Sequence, residues 1–290
     1  MTIGEHLRIG WCQRHFRRRY LSCPFLCTRN IETVIRPEAI KEYQCVEVDR
    51  IPRMIHYIWI GGKSLPSSFQ ANIDQWQRLM PDFRIIRWDE TNYDVNAHPW
   101  VQRMHTQRNY AFASDHMRLT ILHEFGGFYL DTDTKIKKRL DPFLGEHLMV
   151  PFEFDCHLST GVIAARKGHP FLKEWMALYD HMDQPRVSND VITRYFLDRF
   201  PEFRLNNKDQ VVGGDIRVLP KEYFTVPSFD RSKNFGVNQC ANSWNPEMKS
   251  STLSKVVRTV FGDVIYFKLL NQKMVWKSDY KDLERTRTKQ

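Results

Sequence analysis

No stretch of this 290-residue chain approaches the roughly 20 consecutive apolar residues that a membrane span requires. A secretory leader is not expected either, because arginines interrupt the N-terminus and leave no apolar h-region. Internal repeats and low-complexity tracts are absent, which removes solenoid and linker architectures. Cysteine is sparse: Cys12, Cys23, Cys27, Cys45, Cys156 and Cys240. The Cys23–Cys27 spacing is able to seat zinc, but no second Cys/His pair follows at finger spacing. Together these absences give the expectation of a cytoplasmic chain with reduced cysteines.

What is present is a sizeable core. The chain is 42% hydrophobic and 13% aromatic, which excludes intrinsic disorder and fits one large domain or two small ones. The formal charge is +9, and it is unevenly placed. Arg8, Arg14, Arg17, Arg18, Arg19 and Arg29 face only Glu5 at the start, and residues 251–290 hold nine Lys/Arg against four acids. One reading is solvated surface; the other is peripheral contact with an anionic partner, either membrane head groups or a polyanionic acceptor. No motif supports nucleic-acid binding.

Three parts are expected: a basic appendage over 1–50, a catalytic domain over 51–248, and a basic amphipathic segment over 249–290. Met54–Ile60 reads as a buried strand closed by Gly61-Gly62, and Pro66–Met80 as a helix stopped by Pro81. Phe83–Trp88 is a second strand. Asn109–Phe125 is a long helix capped by Gly126-Gly127, and an apolar strand runs from there to Asp131. Strands near 148–153, 161–165 and 217–220 alternate with helices over about 170–181 and 189–200. Val256–Leu270 has helical spacing and suits packing on the domain or lying on a membrane surface. The alternation predicts an α/β layered fold with a mainly parallel sheet and helices on both faces.

The chemistry concentrates at Asp131-Thr132-Asp133. Two carboxylates at i and i+2, at the C-terminal end of a buried strand, can both reach one hard divalent cation shared with substrate phosphates. The same acids also suit a turn after a strand.

Several separated segments together resemble glycosyltransferase family 32. They are Ile51–Gly62, Ala113-Ser-Asp-His-Met-Arg-Leu119 leading into Phe125-Gly-Gly-Phe-Tyr-Leu-Asp-Thr-Asp133, Ser159–Pro170, and Ser243-Trp244. The family includes yeast-type mannosyltransferase-like proteins, bacterial capsule and O-antigen enzymes and, distantly, the glucosylating domains of clostridial toxins. The resemblance implies a GT-A type fold, a nucleotide-sugar donor (a UDP-sugar before GDP-mannose), a glycan acceptor, and Mn²⁺ or Mg²⁺. It implies that Asp131 and Asp133 hold the metal, with Asp131 also meeting ribose and sugar. Asp115, Arg118 and Asp131 would be the catalytic set. Trp59, Asp115, Arg118, Asp131, Asn238 and Trp244 would bind the donor, Trp59 by stacking on uracil. For Asp115 and Arg118 an i,i+3 surface salt bridge is the plain alternative, and for Trp59 it is a core tryptophan. Ser114 reads as a small residue that lets the helix approach the sheet, and His56 as a core histidine.

The chain departs from the family in two places. Val237–Trp244 has Asn238-Gln239 where many members carry histidines, so the histidine ligand is gone, and Asn238 or Gln239 is left to donate a hydrogen bond or lend a carbonyl oxygen. Ser188-Asn189-Asp190 lacks the usual Gly-Pro, and Asp190 is either an acceptor-side residue or a helix N-terminal acid. A haloacid-dehalogenase-like phosphatase also uses Asp-x-Asp, but it expects Thr or Val where Lys135 stands. A degenerate binding protein on membranes is the third possibility. The reading carried forward is a metal-dependent, retaining glycosyltransferase in surface polysaccharide synthesis.

Overall fold

A computed structural model describes residues 49–239, 252–278 and 280, with the side chains of 252–257 left aside. The expected N-terminal appendage, Cys23–Cys27 and Trp244 lie outside the described residues. The chain order is β1 (Met54–Ile58), α1 (Ser67–Leu79), β2 (Arg84–Trp88), α2 (Pro99–Thr106), α3 (Tyr110–Phe125), β3 (Gly127–Leu130) and β4 (Thr134–Ile136). Then come β5 (Leu148–Phe154), β6 (His157–Leu158), β7 (Val162–Ala165), α4 (Pro170–Asp180), α5 (Ser188–Arg199), β8 (Gln210–Val212), β9 (Ile216–Leu219), β10 (Gly236–Asn238) and α6 (Thr252–Lys277).

The strand order is β2-β1-β3-β7-β5-β9-β8, with β6 attached to β5. β2, β1, β3, β5 and β9 run one way; β7 and β8 run against them. The α/β fold with a mainly parallel central sheet is therefore present. Alternation along each strand divides the core into two layers. Met54, Ile58, Tyr129, Leu148, Val150 and Ile163 face one layer, with α3, α4 and α5. Ile55, Tyr57, Phe128, Leu130, Met149 and Val162 face the other, where α1 contributes Ile73 and Trp76. Helices thus cover both faces, as such doubly buried strands require.

The sequence reading missed α2 and the short strands β4 and β10, which pair with each other in a separate antiparallel ribbon. At three residues each they carry too little periodicity to be seen. The expected single helix over 256–270 is instead longer and broken at Gly262, whose φ of 78° and ψ of 166° leave the helical region. No helix among the described residues is long and apolar enough to cross a membrane.

Two adjacent glycines let α3 turn directly into the sheet. Gly126 and Gly127 have φ of 68° and 99°, and a Cβ on Gly126 would meet the Lys167 amide nitrogen at 2.7 Å. His56 seals this turn from β1. It is fully buried, donates from Nε2 to the Gly126 carbonyl (2.8 Å), and accepts at Nδ1 from Trp88 Nε1 (3.1 Å). Both ring nitrogens are satisfied in the neutral tautomer alone. Burial therefore pushes His56 down to about 4, only partly opposed by the Gly126 hydrogen bond. The unfolded chain takes up a proton near pH 6.5 and the native chain does not until about 4. His56 thus supplies stability that is present above about pH 6.5 and lost as pH falls toward 4, on the order of 3 kcal/mol. Calorimetry between pH 7 and 4 is expected to show a falling Tm whose slope is shallower in His56→Gln; an unchanged slope would refute the assignment.

Candidate active site

The site is built where several chain ends meet at one edge of the sheet. β1 and β3 point their C-terminal ends there, and antiparallel β7 begins there, as open α/β sheets place ligand chemistry. Asp131 follows β3 directly, and its amide donates to the Gly161 carbonyl at 2.8 Å, extending the β3–β7 pairing by one step. The two acids are fixed through their backbones. Thr134 N–H donates to the Asp131 carbonyl (2.9 Å), and Gln239 N–H to the Asp133 carbonyl (3.1 Å). Asn72 of α1 donates from Nδ2 to the Thr132 carbonyl between them (2.9 Å).

Behind this turn sits Arg118. Its side chain and that of Asp115 are almost wholly buried, at 6% and 7% exposure, which disposes of the surface salt bridge. Nη2 pairs with Asp115 Oδ1 at 2.9 Å and donates to Ser114 Oγ at 2.9 Å. Nε donates to the Ser114 carbonyl at 3.1 Å, and Nη1 to the Thr160 carbonyl at 2.7 Å. Nη1 also lies 3.6 Å from Asp131 Oδ1, and the guanidinium stacks 4.6 Å from the centre of the Tyr129 ring. Ser114 is therefore more than a small residue. It accepts from Arg118 while its own hydroxyl donates to the Ala111 carbonyl at 2.7 Å.

Burial pushes Asp115 up to about 7, against the pull of Arg118 and a Ser188 hydrogen bond, with Asp131 adding repulsion. For Arg118 burial acts downward, but Tyr129, Asp131 and Asp115 together carry it further above its ordinary range. Tyr129 donates its hydroxyl to Asp131 Oδ1 at 2.8 Å. Oδ1 of Asp131 is thus occupied by Tyr129 and Arg118, while Oδ2 faces Gly161: a Cβ there would stand 2.8 Å from it and 3.2 Å from Asn238 Nδ2. The bare backbone at Gly161 keeps Asp131, Asn238 and the sheet edge within reach of one another.

Asn238 is accordingly at the site, held by β10 pairing with β4 and by its own amide donating to the Thr225 carbonyl (3.1 Å). Trp59 stands just past β1, partly exposed; its indole N–H donates to the Lys63 carbonyl (2.7 Å) and its ring meets Phe69 edge-on. Its partial exposure means that it is not a core tryptophan. Asp190 heads α5 and is bound by His157 Nε2 (3.3 Å) and the Tyr280 hydroxyl (2.8 Å). It ties the C-terminal helix to the site's rim. Burial opposes the His157 charge, but Asp190 and Cys156 hold it up to about 9. Sequence reasoning missed Tyr129, read only as part of an apolar lead-in, and Asn189, whose Oδ1 accepts from Thr160 N (3.0 Å) and Oγ1 (2.8 Å). It also passed over Glu153, buried near Asp131 and Asp133, although an acid in an otherwise apolar strand was a signal.

Residues 66–149, which carry α1, α3, Asp115, Arg118 and both acids of the turn, match the glycosyltransferase sugar-binding region containing the DXD motif. The chain is also similar to glycosyltransferase L373 of Acanthamoeba polyphaga mimivirus, 28% identical over 69% of this chain and 86% of that one. This chain is a glycosyltransferase. A further relative is the mannosyl phosphorylinositol ceramide synthase SUR1 of Saccharomyces cerevisiae, 27% identical over 62% of this chain and 49% of that one. The chain thus spans about half the length of that yeast relative, and 35% of inositol phosphoceramide mannosyltransferase 3 of Schizosaccharomyces pombe. Among solved structures, the PaToxG glycosyltransferase aligns with a TM-score of 0.43 at 17% identity, over 66% of this chain and 80% of that one. These relatives are viral and fungal, the fungal ones in keeping with the yeast-type members of the family named above.

The glycosyltransferase site generates a direct test. Gly161→Ala places a methyl within 2.8 Å of Asp131 Oδ2, while the site around it stays packed. Donor turnover is expected to fall at least about tenfold with Tm nearly unchanged; wild-type turnover would show that the Asp131 position is not critical.

Proposed function

We propose that this glycosyltransferase moves a hexose or N-acetylhexosamine from a nucleotide sugar to a glycan acceptor borne on a lipid, with retention of anomeric configuration. One observation carries the reading: Asp131 sits 3.6 Å from an Arg118 already paired with Asp115, all at the ligand edge of the sheet. A carboxylate accepts hydrogen bonds from sugar hydroxyls, and the buried guanidinium, its donors taken up by the protein, holds that carboxylate in place.

The residues fit a hard divalent cation. Asp131 and Asp133 offer oxygen alone, and no preassembled group of three His, Cys, Asp or Glu exists among the described residues. Two protein acids leave coordination positions for diphosphate oxygens, which suits Mn²⁺ or Mg²⁺. When bound, the cation neutralises charge on the departing diphosphate. Arg118 and Tyr129 orient Asp131, Asp115 takes sugar hydroxyls, Trp59 stacks on the base, and Asn238 donates from the far side of Gly161.

Donor and acceptor follow from weaker support. UDP is the first choice through Trp59, whereas the names of the fungal relatives weigh for mannose. Those names also describe ceramide-borne acceptors, which favours a lipid-linked acceptor here; a surface polysaccharide grown on a lipid carrier would use the same geometry. The outer face of α6 fits peripheral contact with an anionic membrane. Leu269 and Trp276 are 52% and 77% exposed, with Lys268, Lys273 and Lys277 beside them along the helix.

Nucleotide release from a panel of UDP- and GDP-sugars is expected to require Mn²⁺ or Mg²⁺ and to vanish in Asp133→Ala, with Tm preserved. Full release in that variant would remove the metal assignment. Replacing Lys268, Lys273 and Lys277 by Glu is expected to lower cosedimentation with phosphatidylserine vesicles several-fold while leaving soluble-donor hydrolysis intact; unchanged cosedimentation would dispose of the membrane face.

A further inference from the structure

Glu153 is the only acid in β5, and it is 8% exposed. Carboxyl groups are seldom buried without a cation beside them. Here the hydrogen-bond partner is the neutral Ser159 hydroxyl; Asp133 and Asp131 repel the carboxylate, and His157 favours it more weakly than either opposes it.

The sheet register places Glu153 at the edge of the sheet that carries the site. Met149 pairs with Ala164 and Phe152 with Leu158, so β5 advances three residues while the opposing chain advances six. The extra length is absorbed around Ser159–Gly161, and the pairing shifts again between Phe152 and Phe154, across Glu153 itself. Bulges of this kind re-aim side chains at sheet edges. One strand, β7, separates β5 from β3, so Glu153 and Asp131 stand about 10 Å apart along the edge. The floor between them is Gly161, which carries no side chain, with Thr160 beyond it held by Asn189 and Ser188. Ser159 joins the two ends: its Oγ accepts from Gly161 N–H (3.3 Å), and the Gly161 carbonyl accepts from Asp131 N–H (2.8 Å).

We propose that Glu153 is a further catalytic residue, its carboxylate touching the transferred sugar across Gly161 from Asp131 and facing the anomeric centre. The inference rests on the nucleotide-sugar reading of this site. As the bond from anomeric carbon to diphosphate oxygen breaks, its electron pair leaves with the diphosphate and positive charge develops on the sugar. A carboxylate already in place stabilises that charge without forming a bond to it, and the developing positive charge in turn favours the ionised form that burial disfavours. A carboxyl kept among other acids costs stability, as functional groups often do, and a purely structural role would have the opposite signature.

The test is Glu153→Gln, which keeps the shape and the Ser159 hydrogen bond but removes the charge. Transfer or donor hydrolysis is expected to fall about 100-fold in kcat with donor KM within about threefold. Tm is expected to equal or exceed wild type, and the Tm rise caused by UDP with Mn²⁺ is expected to be unchanged. A kcat within about threefold of wild type would overturn the proposal. So would a Tm lower by several degrees, which would make Glu153 a structural partner of Ser159. Release that depends on Asp133 but not on Glu153 defeats this proposal alone; release that survives Asp133→Ala defeats the donor-site reading and this inference with it.

Discussion

The buried guanidinium of Arg118 is the constraint on which the site depends. A fixed, permanently charged fork must satisfy its donors away from water, and breaking one such buried pair costs about 3–5 kcal/mol. Its partners come from three places: Ser114 and Asp115 on its own helix, Thr160 at the start of β7, and Asp131 after β3. Satisfying that charge therefore fixes the distance between α3 and the sheet edge. Tyr129 completes the arrangement by stacking on the guanidinium and donating to the same Asp131 oxygen.

From this follows a division of labour at Asp131. One oxygen is committed to the protein, and the other faces Gly161, where even a methyl group would stand 2.8 Å away. The acid turn is also held through main-chain atoms, by Asn72, Gln239 and the β4–β10 ribbon. The fold thereby keeps a pair of acids close together. Proteins tolerate such locally unfavourable groups where function requires them.

Much of this was legible in the sequence because long elements leave strong patterns. The sixteen residues of α3, the glycine pair and the strand into Asp131 announced themselves through periodicity and φ-permissive residues, and the sheet followed from their alternation. Asp115 and Arg118 came in with the family resemblance, and their burial removes the surface-pair alternative. The rest was hidden for physical reasons. Three-residue strands such as β4 and β10 have no readable period, and the Gly262 break looks like a tolerated helical glycine. Glu153 reaches the site through a register shift, which no one-dimensional pattern encodes. The roles of Ser114 and Tyr129 likewise depend on which atoms the fold brings to Arg118.

The most direct measurement is the change in Tm on adding UDP or GDP with and without Mn²⁺, for wild type and for Arg118→Lys. The account predicts that one nucleotide and the metal together raise the wild-type Tm by several degrees, that neither alone does so, and that Arg118→Lys loses the response because a lysine cannot bridge Asp115, Thr160 and Asp131 at once. An equal response in the variant, or no response from wild type to either pair, would contradict it.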